Sequence, residues 1–140
     1  MAADRNELQA TAQEAIELAG KMCGVELDYS LGSIGMLDAV PGAVHDQRED
    51  LGWDDDMLWS LAYKFGPYYG ELMLQHEFED FGFVWGEDPD GEPTLVNDSQ
   101  KEGFSLGVIR PVNKCIKRMM FGPEDSLVHY CSTCLAMAQM

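Results

Sequence analysis

The chain has 140 residues, 46% hydrophobic and 24% charged, with nine Lys and Arg against twenty-five Asp and Glu for a net charge of −16. That size and balance predict one folded domain, 1–140, able to build its core without disulfides or metal, and exclude wholesale disorder. No eighteen apolar residues run together to offer a transmembrane helix, and so acidic a body repels nucleic acid and anionic membrane while attracting basic partners.

The imbalance is uneven. Residues 1–100 hold four cations and twenty-two anions, whereas residues 101–140 hold five cations and three anions. Acidity also keeps a small protein soluble without any specific function, so the charge alone assigns none. The polar opening from Met1 to Glu7 has no apolar signal core behind it, and a cytoplasmic location is the expectation.

Asp4 followed by Glu7 predicts the start of a first helix, and Gly24 its stop. Leu8, Ala12, Ala15, Ile16, Ala19, Met22 and Cys23 give it one modest apolar face, so 1–26 reads as a packing helix. Asp28 or Ser30 is placed to cap a second helix with the buried stripe Leu31, Ile34, Leu37 and Val40. Pro41-Gly42 is expected to end or redirect it, leaving 43–52 as a solvated loop with at most one helical turn.

Asp54-Asp55-Asp56 puts negative charge at the start of a third helix, where the macrodipole favours it. From Met57 to about Leu74 apolar residues cover so much of the circumference that this should be the central helix, kinked at Pro67. Gly66 and Gly70, four apart, would let another backbone come close. After His76 the period becomes alternating, with Phe81, Phe83 and Trp85 on one side, which predicts a hairpin from Glu79 to Val96 turning at Asp88-Pro89-Asp90-Gly91.

A turn over Asn97 to Glu102 should lead to a third strand through Phe104, Leu106 and Val108. Pro111 opens a helix with Val112, Cys115, Ile116, Met119 and Met120 inside, and Gly122-Pro123 separates it from a last helix carrying Leu127, Cys131, Cys134, Leu135 and Ala138. The order predicts an α+β fold, a three-stranded antiparallel meander packed against about five helices. Alternating βαβ units are absent, which argues against a doubly wound nucleotide-binding sheet.

Chemistry-bearing motifs are few. His129-x-Cys131-x-x-Cys134 has no second pair to complete a zinc site and lies in the apolar stripe, so the cysteines read as small buried hydrophobes. Asp88 to Glu92 resembles only a fragment of a calcium loop. His45, His76 and His129 lie far apart in sequence. We therefore assign no catalytic residue, no metal ligand and no cofactor. Glu71 interrupts the most apolar helix, and Arg110, Lys114, Lys117 and Arg118 gather four of the nine cations on one helix face. That face is either a solvated neutraliser of acidic neighbours or a partner contact. Glu71 is expected to pair with Lys114, Lys117 or Arg118.

Leu27-Asp28-Tyr29-Ser30 with Leu37-Asp38, Gly66-x-Tyr68-x-Gly70-Glu71, Trp85, Pro111-x-x-Lys114-x-x-Lys117-Arg118 and Gly122-x-x-Asp125-Ser126 occur in an order that resembles a bacterial domain-of-unknown-function family. The resemblance covers about 27–130 and implies a small stand-alone domain, with no activity to carry over. Pro67 and the acidic stretch 41–56 depart from that pattern and bear on the length of the second helix.

Two functional classes follow. One is a non-enzymatic interaction or regulatory module, like immunity proteins that mask basic partners. The other is a small-ligand-binding domain or enzyme with a pocket beside Tyr68, Glu71 and Trp85. Candidate contacts for a ligand or partner are Tyr68, Tyr69, Glu71, Trp85, Arg110, Lys114, Lys117 and Arg118.

Overall fold

Local capping chemistry sets several helix starts. In a computed structural model, which describes residues 4–97 and 108–138, Asp4 accepts a hydrogen bond from the Asn6 amide at 2.9 Å and opens α1 (Arg5–Cys23), which Gly24 closes at φ 65°. Asp54 accepts from the Met57 amide at 3.0 Å and opens α3 (Asp55–Met73), with Asp55 and Asp56 in its first turn. Between them lies α2 (Ser33–Leu51), and Pro111 opens α4 (Pro111–Phe121). The last helix, α5, spans Leu127–Ala138.

Three strands, β1 (Val84–Glu87), β2 (Pro93–Val96) and β3 (Val108–Ile109), form an antiparallel meander in the order β1-β2-β3. The fold is α+β, with five helices and three strands among the described residues. Trp85 pairs with Leu95 and Leu95 with Ile109, and this row is the buried face of the sheet. The neighbouring row, Val84, Val96 and Val108, faces outward, as period-two alternation requires.

Helix α3 packs chiefly between α1 and α4. It is buried almost all round from Phe65 to Met73, but the expected coverage from Met57 onward is only partial over the first turns, where Met57 is 44% and Tyr63 43% exposed. The stripe that α1 buries is Leu8, Ala12, Ala15 and Ala19, mostly methyl groups, and α1 lies along α3. Two glycines admit neighbours to α3. A Cβ on Gly66 would sit 2.5 Å from Val112 Cγ2, and one on Gly70 would sit 2.2 Å from Trp85 Cη2.

Four expectations change. Helix α2 does not stop at Pro41 but runs on to Leu51, so 43–51 is helix and not loop. Pro41 and Gly42 are both buried, and a Cβ on Gly42 would lie 2.7 Å from Arg118 Nη2. Gly42 thus makes room for a side chain of α4, and packing holds the helix through the missing proline donor. The hairpin starts at Val84, not Glu79, because α3 unwinds through 74–78, where His76 (φ −119°, ψ 71°) and Glu77 (φ 82°) leave helical geometry. Leu31 of the predicted stripe is 53% exposed and lies ahead of α2. The basic stripe is not one solvated face, since Arg118 is buried and Lys114 half-buried. The predicted turn at 98–102 and strand residues Phe104 and Leu106 lie outside the described residues.

The turn from Asp88 to Glu92 is held by Asp88 Oδ1, which accepts from the Asp90 and Glu92 amides at 2.9 Å each. Glu92 is 6% exposed and its Oε2 has no hydrogen-bond partner among the described residues. Burial, then the charges of Asp88 and Asp90, push its carboxyl above the usual carboxylate range. Glu92→Gln should therefore raise stability at pH 7 by roughly 1 kcal/mol. The folded state binds this proton more tightly than the unfolded state. The wild type therefore regains the deficit as pH falls, and the gap between the two should close between pH 7 and about pH 4, near the ordinary glutamate value. Urea melts of both proteins across that range check it; an unchanged gap would mean Glu92 does not titrate there.

Candidate functional site

Most of the sequence-predicted contacts turn inward. Tyr68 and Tyr69 are fully buried and Glu71 is 1% exposed. Glu71 is held by Arg5, whose Nε donates to Oε1 at 3.1 Å and Nη2 to Oε2 at 3.3 Å, and by Trp85, whose Nε1 donates to Oε1 at 3.1 Å. Arg5 also donates from Nη1 to Glu79 at 2.7 Å, and these carboxylates, Glu71 first, push its pKa up. The expected pairing of Glu71 with the α4 cations is therefore corrected. Its partner is Arg5, at the start of α1, because α1 and not α4 brings a cation to that end of α3.

The α4 cations have other partners. Arg118 Nε lies 3.1 Å from Asp38 Oδ1, which also accepts from the Leu127 amide at 2.8 Å and so ties α2, α4 and α5 together. Lys114 pairs with Asp125 at 2.9 Å and lies 5.2 Å from the centre of the Tyr130 ring. Arg110 lies 3.6 Å from Asp88, and Lys117 is exposed. Four cations adjacent in sequence thus go to separate places.

The tyrosines anchor loops. Tyr69 donates its hydroxyl to the Leu127 carbonyl. Tyr68 accepts from the Tyr29 amide at 2.9 Å and shares a 3.0 Å hydrogen bond with Ser33 Oγ. The Tyr29 ring stacks on Tyr68 at 4.7 Å, and its hydroxyl pKa is pushed up to about 12 by burial and then by the Glu71 charge. Tyr29 sits at φ 63°, which a bulky residue adopts only at a cost, and its carbonyl accepts from His76 Nε2 beside the break in α3. Cys131 and Cys134 are buried, and burial raises both thiols, Cys131 to about 11. At neutral pH they are thiols packed as small apolar groups.

What lies open is elsewhere. Three hollows meet at the half-buried Trp53, between α2 and α3. The apolar one, of about 480 Å³, runs along α3 from Met57 to Leu61, with Met22 of α1 and Trp53 as walls and Asp54 and Asp56 at its edge. A second, of about 170 Å³, lies between Met22 and Cys23 of α1 and Val44, Gln47 and Leu51 of α2. The third, of about 710 Å³, is polar and is lined by His45, Asp46, Glu49 and Asp50 among others. Among the described residues five carboxylates line these hollows against one Lys or Arg, Arg48, which is drawn to Asp55 at 3.2 Å. Met57 and Leu51 stand 44% and 52% exposed there.

Sequence reasoning missed this corner and Arg5. The usable signals were weak: Arg5 is one of four cations in the first hundred residues, and Met57 extends an apolar pattern already wider than one neighbour covers. No family model, no curated protein and no solved structure matches the chain. No helix among the described residues is long and apolar enough to cross a membrane.

Proposed function

We propose that the chain is a non-enzymatic, acidic interaction module that holds a basic protein partner, in the manner of regulatory or immunity-like proteins that mask positive surfaces. One observation carries this reading: the open apolar surface at Trp53 is edged by Asp54 and Asp56 and adjoins a hollow with Asp46, Glu49 and Asp50, where Arg48, the one Lys or Arg lining it among the described residues, is already engaged by Asp55. Apolar contact supplies affinity there, and the charge steers partners to it and selects their sign. A cytoplasmic site of action and kinship with the bacterial domain-of-unknown-function family belong to the same proposal. Tyr68, Glu71, Trp85, Arg118 and Asp38, which carry much of that resemblance, all make internal contacts, so the kinship would be one of scaffold.

The test is an immobilised chain challenged with cell lysate. Basic proteins should be retained at low ionic strength and released near 0.5 M salt, where screening shortens to a few ångströms, about 4 Å. Retention of no basic protein at low salt defeats the reading.

A ligand site beside Tyr68, Glu71 and Trp85 is the competing reading, and one observation favours it. Tyr29 and Glu77, the two non-glycine residues with positive φ among those described, flank His76 and the Tyr29 carbonyl close to that network, and such strain gathers at functional sites. A thermal-shift screen of small metabolites separates the two, since a ligand that binds only the folded chain raises its midpoint.

A further inference from the structure

We infer that the groove along α3 beside Trp53 is a docking site for a basic amphipathic helix of the partner; this rests on the interaction reading above and names the surface and the ligand. The groove lies between the end of α1 and the first two turns of α3, with Met22, Trp53, Met57 and Leu61 as its apolar lining. Two helices flanking an open apolar trough are the setting in which a third helix lays down its i, i+3, i+4 and i+7 anchors. The two methionines are unbranched and polarisable, so they adapt to anchors of different shape.

Charge decides what else the helix must carry. Asp54 and Asp56 edge the groove, and Asp46, Glu49 and Asp50 lie round Trp53 on the next hollow. Asp54 spends one oxygen on the Met57 amide, the nearby Arg48 is taken up by Asp55, and among the described residues no cation lines the groove to neutralise Asp56. An incoming helix with lysine or arginine beside its apolar stripe meets this edge favourably, and an acidic one is repelled. A second copy of this chain is a poor occupant, because two bodies of net charge −16 repel each other.

The probe is a fourteen-residue leucine–lysine peptide of helical period, compared with one of the same composition in strict alternation. Binding is followed by fluorescence anisotropy of the labelled peptide at about 0.15 M salt, a Debye length of about 8 Å. The helical peptide should bind one to one and at least tenfold more tightly than the alternating one. Met57→Ser should weaken it about tenfold and Asp56→Asn about threefold. Both residues are exposed, so both variants should fold. Asp80→Asn, an exposed carboxylate beyond the opposite end of α3, should change nothing.

Equal affinity for the two peptides, or equal binding by the Met57 and Asp80 variants, overturns the docking site. If basic proteins are still retained from lysate in that case, the interaction reading stands and only the groove assignment falls. Loss of both means the acidity serves no partner. Peptide-free dimerisation that Met57→Ser abolishes would make a second copy the occupant and overturn the inference as well.

Discussion

Arg5→Ala should lower stability by about 3 kcal/mol, because it leaves the Glu71 carboxylate, 1% exposed, with Trp85 Nε1 as its remaining donor among the described residues. Breaking a buried ion pair costs roughly 3–5 kcal/mol. The lower end applies because the Arg5 side chain is 44% exposed and water reaches that side of the pair. For a domain of this size the loss corresponds to a fall in Tm of about 10 °C. Glu79→Gln, which touches only the exposed branch of the same guanidinium, should cost under about 1 kcal/mol. Adding Glu71→Gln to Arg5→Ala should recover part of the loss, since a neutral amide leaves no buried charge. Urea melts of wild type, Arg5→Ala, Glu71→Gln and the double variant give the coupling energy, with Glu79→Gln as the control, and a value near zero would show that Arg5 serves α1 alone.

Gly66→Ala should cost about 2 kcal/mol or more, although alanine is the better helix former by about 1 kcal/mol. The new methyl carbon would stand 2.5 Å from Val112 Cγ2, 2.8 Å from Val112 Cα and 2.9 Å from its amide nitrogen. Two of those atoms are backbone of the first turn of α4, so relief requires the whole helix to move and not one rotamer to change. Gly70→Ala meets the Trp85 ring instead, at 2.2 Å, and should disturb its hydrogen bond to Glu71 as well. Gly35→Ala is the matched control: it is exposed within α2 with open space around it and should stabilise by a few tenths to about 1 kcal/mol. Thermal melts compare the three, and a Gly66 variant as stable as the Gly35 variant would disprove the close approach of α4.

The groove at Trp53 and the network at Glu71 divide the molecule's polar chemistry by location. Glu71, Arg118 and Asp38 join elements inside the fold, where each charge has a partner across a long stretch of chain. The carboxylates from Asp46 to Asp56 stand at a surface where few cations answer them, and this asymmetry motivates the binding proposal.

What the sequence determined by itself is what short-range chemistry controls. Asp4, Gly24, Asp54 and Pro111 mark helix ends because a cap, a left-handed stop or a missing amide acts within a turn of chain. The hairpin turn at Asp88 and the change of period before β1 establish the α+β class in the same way. Tertiary structure decided the rest. Pro41 is carried through α2 in a buried stretch where the next residue, Gly42, lies against Arg118 of α4, which no local pattern reports. Glu71 finds Arg5 at a sequence separation of 66, and Arg118 finds Asp38 at 80. Periodicity says which face of a helix is buried but not which helix covers it, so the partner of a buried charge is set only when the helices pack. The corner at Trp53 is the complement of that packing: residues of α1, α2 and α3 line hollows there, and the apolar surface they leave uncovered is the feature the sequence could not display.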